Sequence, residues 1–385
     1  MRRNDSQSAL GFSLIELMIA LAVGLIVLGA SVQIFSKGMD ATWVVSQRAQ
    51  MQQDARAASD LMLKDISLAG AGVQTAVALA SGTATPPKYG CDQKTCYINS
   101  GAGITYPTQV VNGNTISYLY GIMPGYLKGK IINPGQPASD VITVAYVDSV
   151  FLLNCYQATV TISTQIKLVD PTTLTPPQSY SPPCSTTTTP PVIPQSVTDA
   201  KVGLQLGDLV MFTGTTAGGT SAVAIGEVTS AAGTTSPYTV TFSDPDALKL
   251  NQLAATSGNL GTMINATGTA ERLYTITYYL DTPASTGLPT LMRQVNGQSP
   301  VPVAENVSDL EFSYEVYDDS KTPPQSTSRD ANLSLGGSPS LIKKVNLLHM
   351  VMRSPLSGSR GYQGFDVQTS VSARNLGIKD QFPLD

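Results

Sequence analysis

The chain has 385 residues, with 23 Lys and Arg against 27 Asp and Glu, for a net charge of −4. Charged residues make up only 13 % and hydrophobic ones 42 %, which excludes intrinsic disorder and speaks against a nucleic-acid partner bound by phosphate neutralisation. Six residues are Glu, too few for a protein built mainly of helices with charged outer faces.

Residues 1–11 read MRRNDSQSALG, short and polar, with Arg2 and Arg3 giving a positive bias. Phe12 to Phe35 then form a run of 24 residues with one charge, Glu16. As a helix this run spans about 36 Å, enough for a hydrocarbon core of about 30 Å. A cleaved secretory signal would have an apolar region of about 7–15 residues before small residues. This run is longer, and its best candidate cut, Leu28-Gly29-Ala30, has Leu where a small residue is needed. No Pro occurs between Phe12 and Leu68, so the helix is expected to continue over 36–70. There Val44, Met51, Ala55, Ala58, Met62 and Ile66 recur at steps of three, four or seven and mark one apolar face. Ala69-Gly70-Ala71-Gly72 ends it. That face must pack on something, most simply a C-terminal globular domain.

Glu16 is the anomaly of the apolar run. A carboxylate inside a membrane helix costs about 2.5–3.5 kcal/mol on insertion scales. Either it lies near the interface and snorkels, or it has a partner. If the chain were cut after Gly11, Phe12 would carry the new α-amine. Glu16 would then be the fifth residue, one turn from that amine and within the positive end of the helix dipole. Gly11-Phe12-Ser13-Leu14-Ile15-Glu16 resembles the class III signal of type IV prepilins and pseudopilins. The resemblance implies that a prepilin peptidase cuts between Gly11 and Phe12 and methylates the Phe12 amine. It also implies that Glu16 guides filament assembly by neutralising a neighbour's amine.

The continuation Leu17 to Leu25 resembles the PilW family of minor pilins. So do Gln50 to Ala58, Leu63-Lys64-Asp65-Ile66, Ala69-Gly70 and Gly90-Cys91. This resemblance implies an α+β, pilin-like fold: a long N-terminal helix packed on a C-terminal antiparallel β-sheet domain with β-rich insertions. The implied organisation is a leader (1–11), a transmembrane or filament-core helix (12–35), an amphipathic helix (36–70) and a β-rich head (71–385). The implied role is structural, in initiating or capping a type IV pilus, and not enzymatic. Its partners would be other minor pilins, the major pilin, the prepilin peptidase and the inner-membrane assembly platform. The protein would sit in the inner membrane with its head in the periplasm, then in the surface filament. A type II secretion pseudopilin and a pilus-tip adhesin or ligand-binding module are the alternative readings.

In the head, Cys91, Cys96, Cys155 and Cys184 suggest disulfides and an oxidising compartment. Of three pairings, Cys91–Cys96 with Cys155–Cys184 is preferred because each closes a local loop; four buried thiols are the bland alternative. Asp140 to Cys155 reads as one strand-forming run. The Pro/Thr-rich residues 168–200 read as an exposed loop. Residues 201–243 read as a small β module, with Ala222–Val228 and Tyr238–Phe242 pairing on Leu209–Phe212. Tyr274, Tyr278 and Tyr279 suit a sheet surface. Alternation at Leu310, Phe312, Tyr314 and Val316, the run Ile342–Met352, and alternation from Phe365 to Ala373 predict three strands. The catalytic inventory is poor. His349, the only His, lies in an apolar strand run, where a core or edge position is expected. Asp244-x-Asp246 and Asp318-Asp319 lack the EF-hand pattern and read as solvated turns. No metal and no cofactor is expected.

Overall fold

The computed structural model describes residues 12–73, 76–82, 85–180, 182–216, 218–244, 246–316, 325–328, 342–353 and 364–376. Residues 1–11, Gly11 among them, and Asp318-Asp319 lie outside the described residues. The chain divides into two units between Gln53 and Asp54. One helix, α1 (Leu14–Leu68), belongs to both.

The head begins with short strands: β1 (Val77–Ala78), β2 (Lys88–Tyr89), β3 (Ile104–Thr105), β4 (Thr108–Val111) and β5 (Asn114–Leu119). β5 lies between β1 and β4, and β2 pairs with β3. The main antiparallel sheet starts with β6 (Ile122–Gly125), β7 (Val141–Val147), β8 (Gln157–Ile162) and β9 (Gln165–Val169). It continues with β10 (Leu209–Thr215), β11 (Ser221–Ala232), β12 (Tyr238–Phe242), β13 (Thr267–Asp281), β14 (Thr290–Val295) and β15 (Val301–Glu305). A second sheet contains β16 (Val307–Val316), β17 (Gln325–Ser328), β18 (Ile342–Arg353) and β19 (Gly364–Ser372), in the order β17-β16-β18-β19.

Part of the main sheet closes on itself. β8 pairs with β9, β9 with β12, β12 with β11, β11 with β10, β10 with β13, and β13 again with β8. Every step is antiparallel, so six strands form a closed barrel. A barrel this small is filled by side chains, here including Ile166, Leu168, Phe212, Val228, Val240 and Phe242. The module expected at 201–243 is therefore no separate unit. β11 pairs with β10 as read, but β12 pairs with β11 and β9 instead of β10. The strand expected over 140–155 stops at Val147. Asp148 turns the chain there, accepting the N–H groups of Val150 (2.9 Å) and Phe151 (3.3 Å) and pairing with Arg272 at 2.5 Å. The Pro/Thr-rich tract joins β9 to β10, and Cys184 within it is disulfide-bonded to Cys155. Cys91 is bonded to Cys96 across a single antiparallel bridge.

β13 is long because it serves two partners in succession. Its first half pairs with β10 in the barrel. Its second half runs between β7 and β14. The helix residues of the head cover this second region. Ala55, Ala58, Met62 and Ile66 are buried, at 0–2 % exposure. Met51 is also buried, whereas Val44, read as part of the same face, is half-exposed. Asp65 shares the buried stripe. Its Oδ2 accepts from Tyr278 Oη at 2.6 Å and Arg293 Nε at 2.8 Å. Tyr278 and Arg293 stand directly opposite each other on β13 and β14, and Arg293 Nε reaches Tyr278 Oη at 3.2 Å. Tyr278 and Tyr279, expected at a sheet surface, are fully buried; the helix needs one as a polar contact and the core needs both as volume. Burial drives the Tyr278 phenol well above its usual range, and Asp65 adds to the shift. Burial alone would lower the Arg293 guanidinium, but Asp65 holds it above its usual value.

Beyond Leu68 the chain turns at Gly70, whose φ of +79° is the left-handed form common after a helix end. Its N–H donates to Ala145 O at 2.8 Å, so the chain enters the sheet directly. The Asn375 amide faces the carbonyls of Ser67, Leu68 and Ala69 at 3.4–3.5 Å. A Cβ on Gly70 would lie 2.5 Å from Leu376 Cδ2. Gly70→Ala therefore combines a strained φ with a collision. It is expected to destabilise the protein by about 1–3 kcal/mol, seen as a lower urea midpoint with an unchanged m-value.

Candidate functional site

The candidate site is the N-terminal segment from Phe12 to Phe35, and its first turn carries the polar chemistry. Ser13 immediately precedes the helix. Its Oγ accepts the Glu16 N–H at 3.4 Å, while Glu16 Oε2 accepts the Ser13 N–H at 3.1 Å. This is a reciprocal capping box, in which Ser and the Glu three residues later satisfy two of the donors orphaned at a helix start. The S-x-x-E spacing at 13–16 is the sequence signature of this box. The Glu16 carboxylate thus lies at the positive end of the helix dipole, and among the described residues only its Oε2 is engaged.

Phe12 is 88 % exposed. From Leu14 to Phe35 no side chain is buried, and the large apolar ones are each more than half exposed. So large an unbroken apolar surface marks a site of contact with lipid or protein. The few polar side chains beyond Glu16 do not disturb it. Ser31 Oγ donates to Val27 O at 2.8 Å, and Thr42 Oγ1 donates to Gly38 O at 2.9 Å. These two hydroxyls are satisfied by carbonyls of their own helix, which suits a segment surrounded by hydrocarbon. Trp43 is exposed eight residues after Phe35, about 12 Å further along the axis, where an amphipathic ring suits a membrane–water boundary.

The other residues singled out in the sequence are dispersed. Cys91–Cys96 and Cys155–Cys184 lie in the head, far along the chain from Glu16. His349, on β18, has its Nδ1 2.9 Å from Asp366 Oδ2 on the neighbouring β19, and its side chain is partly exposed. Asp246, read as a solvated turn acid, is fully buried instead. It accepts the Leu250 N–H at 2.6 Å and the Asn251 N–H at 2.9 Å, so it organises its own loop. Among the described residues no group of three or more His, Cys, Asp and Glu side chains is placed to hold a metal ion.

Residues 7–32 match the family model described as the prokaryotic N-terminal methylation motif. No curated protein and no solved structure matches the chain. The match covers Gly11, Phe12, Glu16 and most of the exposed apolar segment. The chain carries a type IV pilin-like N-terminal signal, on an apolar helix long enough to cross a membrane.

Proposed function

We propose that this protein is a PilW-like minor pilin that helps initiate or cap a type IV pilus. The observation that carries the reading is the methylation motif over 7–32, continued by an apolar helix whose side chains are unburied from Leu14 to Phe35. On this reading the prepilin peptidase cuts between Gly11 and Phe12 and methylates the Phe12 amine. Glu16 then accepts an ammonium, on its own chain or on a neighbouring subunit, with the oxygen that the capping box leaves over. The apolar segment first contacts lipid and then other pilin helices, so its transfer from membrane to filament exchanges one apolar environment for another. Before assembly the head is periplasmic and the segment anchors it in the inner membrane. The partners are the other minor pilins, the major pilin, the peptidase and the assembly platform. Two disulfides suit that oxidising location.

Mass spectrometry of filaments sheared from the cell surface tests location and processing together. The expected result is a mature chain that begins at N-methylated Phe12 and co-purifies with a major pilin. A chain retaining residues 1–11, or one starting beyond Ala30 as a secretory signal cut would leave it, would overturn the reading. Recovery with a secretion apparatus instead of pili would assign it to the pseudopilins.

A further inference from the structure

Two buried carboxyl groups stand together at one end of the barrel. Glu227, on β11, is 2 % exposed, and Asp246, in the loop after β12, is fully buried. The Glu227 N–H donates to Asp246 Oδ2 at 3.4 Å. Asp246 is well provided for, because the Leu250 and Asn251 N–H groups also donate to it. Glu227 is not. Gln93 and the Ala247 backbone donate to its carboxyl group, but its Oε1 has no hydrogen-bond partner. Gly297 presses against the same carboxyl group, so closely that a Cβ there would collide with it.

The charges around Glu227 do not compensate an ionised form. Asp246 and, from the Cys91–Cys96 loop, Asp92 both act on it as like charges. Lys249, in the Asp246 loop, favours ionisation of Asp246. Lys94 lines the outer cleft together with Asp92, Gly297 and Gln298. On β13, Arg272 is committed to Asp148 at 2.5 Å and lies 3.9 Å from Asp208. Asp208, before β10, accepts from Gln298 Nε2 at 2.9 Å. A carboxylate at Glu227 would be buried, one oxygen unpartnered, beside like charge, which is the environment that favours the neutral acid.

We infer that Glu227 keeps its proton in the folded head from mildly acidic pH up towards neutrality, and that the neutral acid holds three loops, 91–96, 246–251 and 296–299, together, which ionisation loosens. Burial, with Asp246 adding to it, pushes the Glu227 carboxyl up to about 7. Burial pushes Asp246 up to about 6, against the pull of its backbone donors. The sign follows by linkage. Between the unfolded value of 4.5 and about 7 the folded head holds a proton that the unfolded chain has released. Stability therefore falls as pH rises through this window and levels off above it.

The test uses the full-length chain in detergent micelles, melted from pH 5 to pH 8.5, beside Glu227→Gln. The two should melt together near pH 5. At pH 8 the Gln variant should melt higher by on the order of 5 °C. Protection of the Leu250 and Asn251 amides, corrected for intrinsic exchange, should fall about tenfold between pH 6 and pH 8 in the wild type only. A gap in melting temperature that does not change with pH overturns the proton; unchanged amide protection overturns the loop latch. Added Ca²⁺ that raises the wild-type melt at pH 8, and not that of the variant, also overturns it, because the carboxylate would then be ionised and cation-bound. Should the variant not fold, a side-chain ¹³C carboxyl titration of the wild type decides alone, and a Glu227 midpoint below pH 5.5 refutes the inference.

Discussion

Asp65→Ala is expected to lower the stability of the head by about 3–5 kcal/mol, the usual cost of breaking a buried ion pair from one side. The Arg293 side chain is only 20 % exposed and that of Asp65 only 5 %. Without Asp65 the guanidinium keeps its charge in a buried position, and Tyr278 Oη loses its acceptor as well. The rank order of variants identifies the charge as the cause. Asp65→Asn keeps an acceptor for Tyr278 but leaves the Arg293 charge uncompensated, so it should fall between the extremes. Tyr278→Phe removes one neutral donor and should cost only about 1 kcal/mol. Urea denaturation of the full-length chain in micelles gives all three values. An Asp65→Ala variant no worse than Tyr278→Phe would show that the ion pair contributes little and that helix packing rests on Ala55, Ala58, Met62 and Ile66. The site matters beyond stability, because residues 54–68 belong to the same helix that begins at Leu14.

The signal that could have located Asp65 was in the sequence. It lies three residues after Met62 and seven after Ala58, on the apolar stripe itself, as Ser59 does. A charge on a buried stripe asks for a partner. Arg293 was equally visible as a cation between Met292 and Gln294 in a strand whose neighbours point to the core. What the sequence did not contain was that Arg293 and Tyr278 face each other across β13 and β14, since cross-strand register depends on pairings between distant segments. The barrel was hidden for the same reason. Alternation marks strands such as Tyr238–Phe242, but it does not say that β12 turns to β9 or that β10 returns to β13. The N-terminal segment was legible because its determinants are local: an unbroken apolar run, no Pro, and Ser13 and Glu16 at capping-box spacing. Asp246 reads as a solvated turn acid and nothing local marks Glu227, because only the three-dimensional packing removes both from water.

Glu16→Ala is expected to leave the proposed cleavage after Gly11 and methylation of Phe12 largely intact while reducing the proposed incorporation into filaments by about 100-fold. That figure corresponds to about 3 kcal/mol, the scale of the cost of an uncompensated charge in a hydrophobic bundle. The carboxylate has two separable tasks, and conservative variants divide them. Its Oε2 closes the capping box on Ser13, a task that Gln performs equally well. Its negative charge, proposed to neutralise the Phe12 ammonium of its own or a neighbouring subunit, is one that Gln lacks. Glu16→Gln should therefore fail in assembly nearly as badly as Glu16→Ala, whereas Ser13→Ala, which removes the Oγ cap and keeps the charge, should assemble close to normally. The measurement is the ratio of this protein in sheared filaments to that in whole cells, by immunoblot, with the mature N-terminus checked by mass spectrometry. Normal incorporation of Glu16→Gln would reduce Glu16 to a helix cap, and normal incorporation of Glu16→Ala would remove it from assembly altogether. If Ser13→Ala fails as Glu16→Ala does while both are correctly processed, the helix start itself, rather than the charge, is what the growing filament recognises.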